Sequence, residues 1–157
     1  MTQFRLARRG LLRAATGAVA LLVLPVPLAR AASDAPLAPE VEAAVAAVLA
    51  GRIPVEAGVG IEVPDRVENG GQVPVTVRID SPMTEADHVT AIHLIASRNP
   101  TPGIGTFHLT PHLARAEVFT RIRLGEEQRL LVLAELSDGR VLAGAARIAV
   151  ATGGCAT

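Results

Sequence analysis

The sequence has 157 residues and no formal net charge, with 15 basic and 15 acidic side chains. This balance gives no electrostatic reason to expect nucleic acid or an anionic membrane as a partner. Aromatic residues make up 2% of the chain, and Trp and Tyr are absent, which argues against a nucleic-acid site built on base stacking. The core must therefore consist of aliphatic side chains. Because there is one cysteine, an internal disulfide is excluded.

Residues 1–31 have the features of an export signal. A basic region precedes an apolar stretch over residues 14–24, and its arginines are Arg5, Arg8, Arg9 and Arg13. Small residues at Ala29 and Ala31 suit a signal peptidase, so we expect cleavage after Ala31 or Ala32. The apolar stretch is shorter than the roughly 20 residues that cross a bilayer. The paired arginines resemble a twin-arginine signal, with an ordinary secretory signal as the alternative. Either predicts a periplasmic protein.

Residues 32–51 are predicted to form a linker followed by a short helix. Pro39 suits the first turn of a helix. Glu40 and Glu42 lie where the helix dipole favours acids. Apolar residues follow at helical spacing, namely Val41, Val45, Val48 and Leu49. Gly51 is the expected C-terminal cap, so the helix precedes the main domain.

Residues 52–151 change to a period-two hydrophobic pattern, which predicts strands. The alternation is clearest over residues 115–124 and also marks residues 73–79, where Pro74 indicates an edge strand or a strand start. Further candidate strands cover residues 58–63, 89–96, 106–110, 129–136 and 141–150. The turn sequence Ser137-Asp138-Gly139 predicts a hairpin. About seven short strands with regular turns predict an all-β, immunoglobulin-like antiparallel β-sandwich.

The histidines do not form a recognisable metal site. His108 and His112 have helical spacing, but Pro111 breaks a helix there and no second cysteine completes a ligand set. We therefore expect His88, His93 and the other two to be surface or turn residues. No nucleophile elbow occurs, and the glycine pairs lack the following helix that a phosphate loop needs. The sequence predicts no catalytic residue, no metal and no cofactor.

Cys155 is the residue with distinctive chemistry. It follows Gly153 and Gly154 in the segment 152–157, beyond the last predicted strand. Glycine gives the backbone freedom, and chain ends are commonly mobile. We therefore expect a flexible C-terminal arm with the two glycines as its hinge. No neighbour in sequence activates the thiol, which favours a thiol processed by other proteins over a catalytic nucleophile. An incidental cysteine is the alternative.

Motifs along the chain support a family resemblance. They are Pro64, Glu68-Asn69-Gly70, Val73-Pro74-Val75, Asp80-Ser81-Pro82-Met83-Thr84, Asn99-Pro100 with Pro102, Phe107-His108-Leu109-Thr110-Pro111, Thr120-Arg121-Ile122-Arg123-Leu124, Ser137-Asp138-Gly139 and Gly153-Gly154-Cys155. Together they resemble the SoxY family, the sulfur carriers of periplasmic thiosulfate oxidation. The resemblance covers nearly all of the chain after the export signal.

The resemblance implies a sulfur carrier rather than an enzyme, with Cys155 as the covalent carrier site. It implies a heterodimer with a SoxZ-like subunit. It also implies transient partners: a haem-containing enzyme that couples thiosulfate, a sulfate-releasing hydrolase and a sulfane dehydrogenase. Family arms usually end Gly-Gly-Cys-Gly-Gly, whereas Ala156 and Thr157 follow the cysteine here. The alternative function is a secreted immunoglobulin-like interaction module that uses Cys155 for an intermolecular disulfide.

Overall fold

The computed structural model describes residues 36–151, which form one helix and eight strands. These are α1 (Pro39–Leu49), β1 (Val59–Glu62), β2 (Arg66–Val67), β3 (Val73–Ile79), β4 (Val89–Ala96), β5 (Gly103–His108), β6 (Ala116–Ile122), β7 (Gln128–Leu136) and β8 (Val141–Val150). A 3-10 turn, Gly70–Gln72, precedes β3. The predicted export signal, its cleavage site and the arm with Gly153, Gly154 and Cys155 lie outside the described residues.

The strands form two sheets around a shared aliphatic core. The smaller sheet has the order β1-β3-β6, and the larger has the order β2-β8-β7-β4-β5. Neighbouring strands are antiparallel except β2 and β8, which run parallel. The fully buried core side chains come from both sheets and include Val75, Val77, Ile92, Leu94, Leu130, Val132 and Ile148. The prediction of a mostly β fold is confirmed.

The burial pattern of strand β3 explains why the period-two hydrophobic pattern predicted its bounds correctly. Its residues are alternately buried and more exposed from Val73 to Ile79, as expected for a strand with one face on the core. The strand lies in the centre of its sheet rather than at an edge. Pro74 is its second residue, and β1 pairs only with the later residues Thr76 to Ile79. The missing N–H of Pro74 is therefore tolerated at the strand start, where one side has no partner.

One strand prediction needs adjustment, one strand was missed, and the hairpin prediction is confirmed. The strand predicted at residues 106–110 lies earlier in the chain, at Gly103–His108. Its start was missed because Gly103 and Gly105 are typical of turns, although both pair with β4. Strand β2 was not predicted, since two residues carry no periodicity. The hairpin between β7 and β8 closes with a bond from Leu136 N to Arg140 O of 2.9 Å. Its Gly139 has φ +89°, a conformation that favours glycine.

Helix α1 packs on the outer face of the larger sheet. Val41 is 1% exposed and clusters with Ile95 of β4, Leu133 of β7 and Val141 of β8. The helix bounds agree with the sequence prediction, but the C-cap is Ala50, with φ +47°, rather than the predicted Gly51. Gly51 follows it with φ +82°. The sequence pattern placed this helix before a domain starting at residue 52. In the structure, helix and sheet share a core because β4 and β7 are apolar on both faces.

Arg52 joins the end of this helix to the sheet. Its Nε donates to Leu49 O at 2.9 Å, and its Nη2 donates to Val48 O at 2.6 Å. Carbonyls in the last turn of a helix have no partner inside the helix, so a cation there is stabilising. The same Nη2 lies 2.8 Å from Glu135 Oε2 on β7. One guanidinium therefore caps the helix and pairs with the sheet.

His93 extends this connection across the larger sheet. Its Nε2 lies 2.8 Å from Glu135 Oε1, and its Nδ1 lies 3.0 Å from Thr106 Oγ1 on β5. The expectation of a surface or turn histidine is wrong for His93, which lies in β4 with its side chain 15% exposed. The polar chain from Arg52 through Glu135 and His93 thus links α1, β7, β4 and β5.

A close backbone contact at Gly70 joins the two sheets at one end. A Cβ atom at Gly70 would lie 2.1 Å from Leu124 O and 3.0 Å from Val150 Cγ1. Leu124 N also donates to Gly70 O at 2.8 Å. Because any side chain would overlap a backbone carbonyl, only glycine allows the turn before β3, the residues after β6 and the end of β8 to meet.

We predict that Gly70→Ala lowers the free energy of unfolding by about 1–3 kcal/mol, because the added methyl forces the backbone apart. Gly125→Ala is the matched control, since its Cβ would have nothing within 4 Å. Urea unfolding of both variants provides the measurement. Equal stability of the two variants would show that the contact at Gly70 does not hold the sheets together.

A second prediction concerns pH. Burial alone would raise the pKa of Glu135, but hydrogen bonds from Arg52 and His93 outweigh it, so this pKa lies below its ordinary value. A carboxyl with a lower pKa in the folded state stabilises the protein above its unfolded pKa, and this stabilisation is lost as pH falls through the folded pKa.

The free energy of unfolding should therefore fall as pH is lowered through the carboxyl range, and Glu135→Gln should reduce that fall. Urea unfolding between about pH 7 and pH 3 measures it. Glu126→Gln is the control, because Glu126 is exposed and its Oε2 lies 3.9 Å from Arg98 Nη1, a longer separation than those at Glu135. A pH dependence unchanged by Glu135→Gln, relative to the unsubstituted protein, contradicts the prediction.

Candidate functional site

The structure fixes the point from which the predicted arm begins. Ala151 is the last described residue, and Cys155 lies four positions beyond it. Strand β8 ends at Val150, which pairs with Val67 of β2. Ala151 N then donates to Val67 O at 2.8 Å. We call Ala149, Val150 and Ala151 the arm root.

The short strand β2 holds the arm root. Pairing between β7 and β8 runs only as far as Ile148, which lies opposite Gln128. Beyond Ile148, Ala149 N donates to Asp65 O at 2.9 Å and Ala149 pairs with Arg66. No sequence signal marks this strand, because two residues carry no hydrophobic periodicity. Its position shows that a long-range parallel contact keeps the last residues of β8 in the sheet.

A buried polar network stiffens the same end of the domain. Gln128 is 3% exposed, and its Oε1 accepts a bond from Arg98 N at 2.8 Å. Its Nε2 donates to Asn99 Oδ1 at 2.9 Å, and Asn99 Nδ2 donates to Arg123 O at 2.8 Å. Buried polar groups with satisfied hydrogen bonds favour one conformation. The loops after β4 and β6 are thereby tied to the start of β7, next to the arm root.

Chain length limits where the thiol can act. Four residues span at most about 13–14 Å, whatever path they take. Strand β8 has ten residues from Val141 to Val150, so its far end lies roughly 30 Å from the arm root. Glu135 pairs with Val141 at that far end. The His93–Glu135 pair is therefore out of reach of Cys155 in the same chain and does not activate its thiol.

The other histidines are not brought into a ligand set. His108 ends β5 and His112 lies in the following loop, and both are exposed. Within residues 36–151 there is no group of three or more His, Cys, Asp or Glu side chains that could hold a metal ion. In that same part of the chain no helix is long and apolar enough to cross a bilayer.

Comparison with known proteins identifies the family. The family model described as sulfur oxidation protein SoxY matches residues 45–155, which include β1 to β8 and Cys155. The solved structure of the sulfur carrier protein SoxY from Chlorobium limicola f thiosulfatophilum is similar, with a TM-score of 0.58 and 26% identity. The similarity covers 71% of this chain and 96% of that chain. No curated protein sequence matches.

Superoxide reductases share the fold at lower identity. The neelaredoxin from Ignicoccus hospitalis has a TM-score of 0.54 and 19% identity, covering 60% of this chain and 80% of that chain. The superoxide reductase from Nanoarchaeum equitans has a TM-score of 0.52 and 12% identity, covering 60% of this chain and 98% of its own. Similarity at this level extends to the fold and not to the reaction.

The family match and the structural similarity agree. The match covers more than half of the chain and reaches the cysteine of the predicted arm. The similar SoxY structure is covered almost completely by the two-sheet domain. The chain belongs to the SoxY family of sulfur oxidation proteins.

Proposed function

We propose that this protein is a periplasmic sulfur carrier that binds sulfur intermediates covalently through the thiol of Cys155 and presents them to partner enzymes. The observation that carries the proposal is the extent of the family match, which ends at Cys155 itself. The similar solved structure is described as a sulfur carrier, which supports the same role. Cys155 is also the one thiol in the chain, so no other residue competes for this chemistry.

The geometry of the domain suits a carrier. The arm root is held by bonds to Asp65 O, just before β2, at 2.9 Å and to Val67 O in β2 at 2.8 Å. The Gln128 network stiffens the loops beside it. Beyond Ala151, Gly153 and Gly154 provide the hinge, because glycine accepts many backbone angles. A fixed root with a flexible arm over residues 152–157 lets one thiol visit several docked enzymes. The two packed sheets are the immunoglobulin-like sandwich that supports this arm.

The thiol is a substrate for other proteins rather than a catalyst. Joining the Cys155 thiol to thiosulfate gives an S-thiosulfonate and releases one proton and two electrons, which pass to a haem-containing partner. A hydrolase then adds water, releases sulfate and leaves a sulfane sulfur on Cys155. A sulfane dehydrogenase accepts electrons from that sulfur while water supplies oxygen, which leaves an S-sulfonate on Cys155. Hydrolysis then releases this group as sulfate and regenerates the thiol. On this scheme the carrier needs no cofactor of its own.

Export and partnership complete the proposal. The arginine-rich segment within residues 1–31 directs the protein to the twin-arginine pathway, which moves folded proteins. A SoxZ-like subunit accompanies it as a heterodimer. Mass spectrometry of the protein isolated from its own host tests the carrier role. A labile sulfur adduct on Cys155 is expected, whereas a disulfide-linked dimer with no adduct would support the interaction module instead.

Cys155→Ser should abolish sulfur loading, because a hydroxyl does not form the sulfur–sulfur bond. The free energy of unfolding should change by less than about 0.5 kcal/mol, since the described core consists of residues from α1 to β8. Intact-protein mass spectrometry after incubation with thiosulfate and the coupling partner measures loading. Ala156→Ser is the matched control and should load normally. Loading of Cys155→Ser would rule out the proposed site.

The residue after the cysteine should affect enzymatic steps and not intrinsic reactivity. Ala156→Leu should slow loading by the coupling partner, because a bulkier tip enters a narrow site less easily. Its rate of alkylation by iodoacetamide should stay unchanged, since a small reagent meets no channel. Ala156→Gly is the control and should load at least as fast as the unsubstituted protein. An equal change in both rates would argue against delivery into a partner's active site.

A further inference from the structure

Charged side chains are distributed unevenly between the two ends of the sandwich. The arm-root end contains the arm root itself, the start of β7, which pairs with the end of β8, and the residues after β6, which meet Val150 at Gly70. The opposite end contains the start of β8, the end of β7 and the start of β6. The two ends differ in the sign of their charge.

Arginines outnumber acidic side chains at the arm-root end. The acidic side chains there are confined to the chain around β2 and to the two positions before β7. The arginines come from β2, from the loop after β4, from the end of β6, and from β7 and β8. They are Arg66, Arg98, Arg121, Arg123, Arg129 and Arg147.

The opposite end has the reverse excess. Arg52, Arg78 and Arg140 lie there, and each pairs with an acidic side chain. Further acidic residues at this end have no ion-pair partner within residues 36–151, namely Glu56, Asp80, Glu85 and Asp87. The domain is therefore polarised, with positive charge where the arm begins and negative charge at the other end.

Two exposed arginines border the arm root from the smaller sheet. Arg121 and Arg123 alternate with buried residues at the end of β6, so both side chains point outward. Neither has an ion-pair partner in the described part of the chain. Leu124 comes next, and its carbonyl lies against Gly70, where Val150 also packs. Arg123 is therefore close to the point where the tether begins.

Chain length determines what must approach this surface. Cys155 lies four residues beyond Ala151, which limits its reach to about 13–14 Å. An enzyme that receives the thiol must therefore sit against the arm-root end and face its arginines. A guanidinium forms two parallel hydrogen bonds with a carboxylate, and arginine is enriched at protein interfaces. The complementary surface is acidic.

We propose that the arm-root end is an electrostatic docking surface for the enzymes that act on Cys155, and that these enzymes present carboxylates around the entrance that receives the arm. This inference rests on the proposed carrier function. The acidic opposite end repels the same carboxylates, so the polarised domain turns its arm-root end toward the enzyme before contact. Complementary charge of this kind raises the rate of productive encounter.

Loading kinetics with the haem-containing coupling enzyme of the same host test this docking surface. Arg123→Glu should raise the KM for the carrier at least about tenfold, while kcat and the KM for thiosulfate stay unchanged because the thiol is untouched. Arg115→Glu is the matched control and should load normally. Arg115 precedes the start of β6 as Arg123 follows its end, and it too is exposed without an ion-pair partner within residues 36–151.

Ionic strength provides a test on the unsubstituted mature protein. Raising it from about 0.01 M to about 0.15 M shortens the Debye length from about 30 Å to about 8 Å. The kcat/KM for the carrier should then fall about tenfold or more, and Arg123→Glu should show a weaker dependence on salt. Alkylation of Cys155 by iodoacetamide, an uncharged reagent, should change little by comparison in either protein.

The proposal is overturned if Arg123→Glu and Arg115→Glu affect loading equally, or if salt leaves kcat/KM unchanged. A rise in the KM for thiosulfate alone also overturns it, because the arginines would then attract the free anion. Loss of the heterodimer with a SoxZ-like subunit in Arg123→Glu would instead make them part of that interface. Docking is measured without loading by binding of the Cys155→Ser protein to the coupling enzyme, so the carrier role stands or falls separately.

Discussion

The backbone contact between Gly70 and Leu124 is the constraint on which the arm-root end of the domain depends. Since Gly70 has no side chain, the residues after β6 approach the turn before β3, and Val150 packs against the same point. Strands β3 and β6 belong to the smaller sheet, and β8 belongs to the larger one. The contact therefore connects the two sheets beside the arm root. Strand β2 and the Gln128 network then hold the residues around it.

The opposite end of the domain is organised by charge rather than by close backbone packing. Arg52 satisfies the last carbonyls of α1 and pairs with Glu135, and Glu135 in turn pairs with His93. These side chains are partly buried, so the pairing is stronger than that of an exposed ion pair. The helix consequently stabilises the sheet from outside. The distance along β8 keeps this network apart from the site proposed at Cys155.

Much of the fold follows from the sequence, because strands with one buried face leave a period of two. The bounds of β3 and β4, the hairpin at Gly139 and the helix from Pro39 were predicted on local grounds. Strand pairing was not, since it depends on contacts between distant residues such as Val67 and Val150. His93 was misread because a single polar residue in an apolar strand does not reveal its partner. At the proposed site, the prediction of Cys155 and its glycines rests on local sequence, whereas the anchoring of Ala151 required the three-dimensional arrangement.

The fixed arm root has a further consequence for reaction rates, on the proposed function. A group tethered by four residues to Ala151 stays close to any enzyme that docks at this end, so its effective concentration is on the order of millimolar or higher. That value depends on tether length and not on the amount of carrier in the compartment. The same length sets a depth limit: an active site recessed by more than about 14 Å from the docked surface receives no cargo. Tether length thereby selects among enzymes by the depth of their active sites.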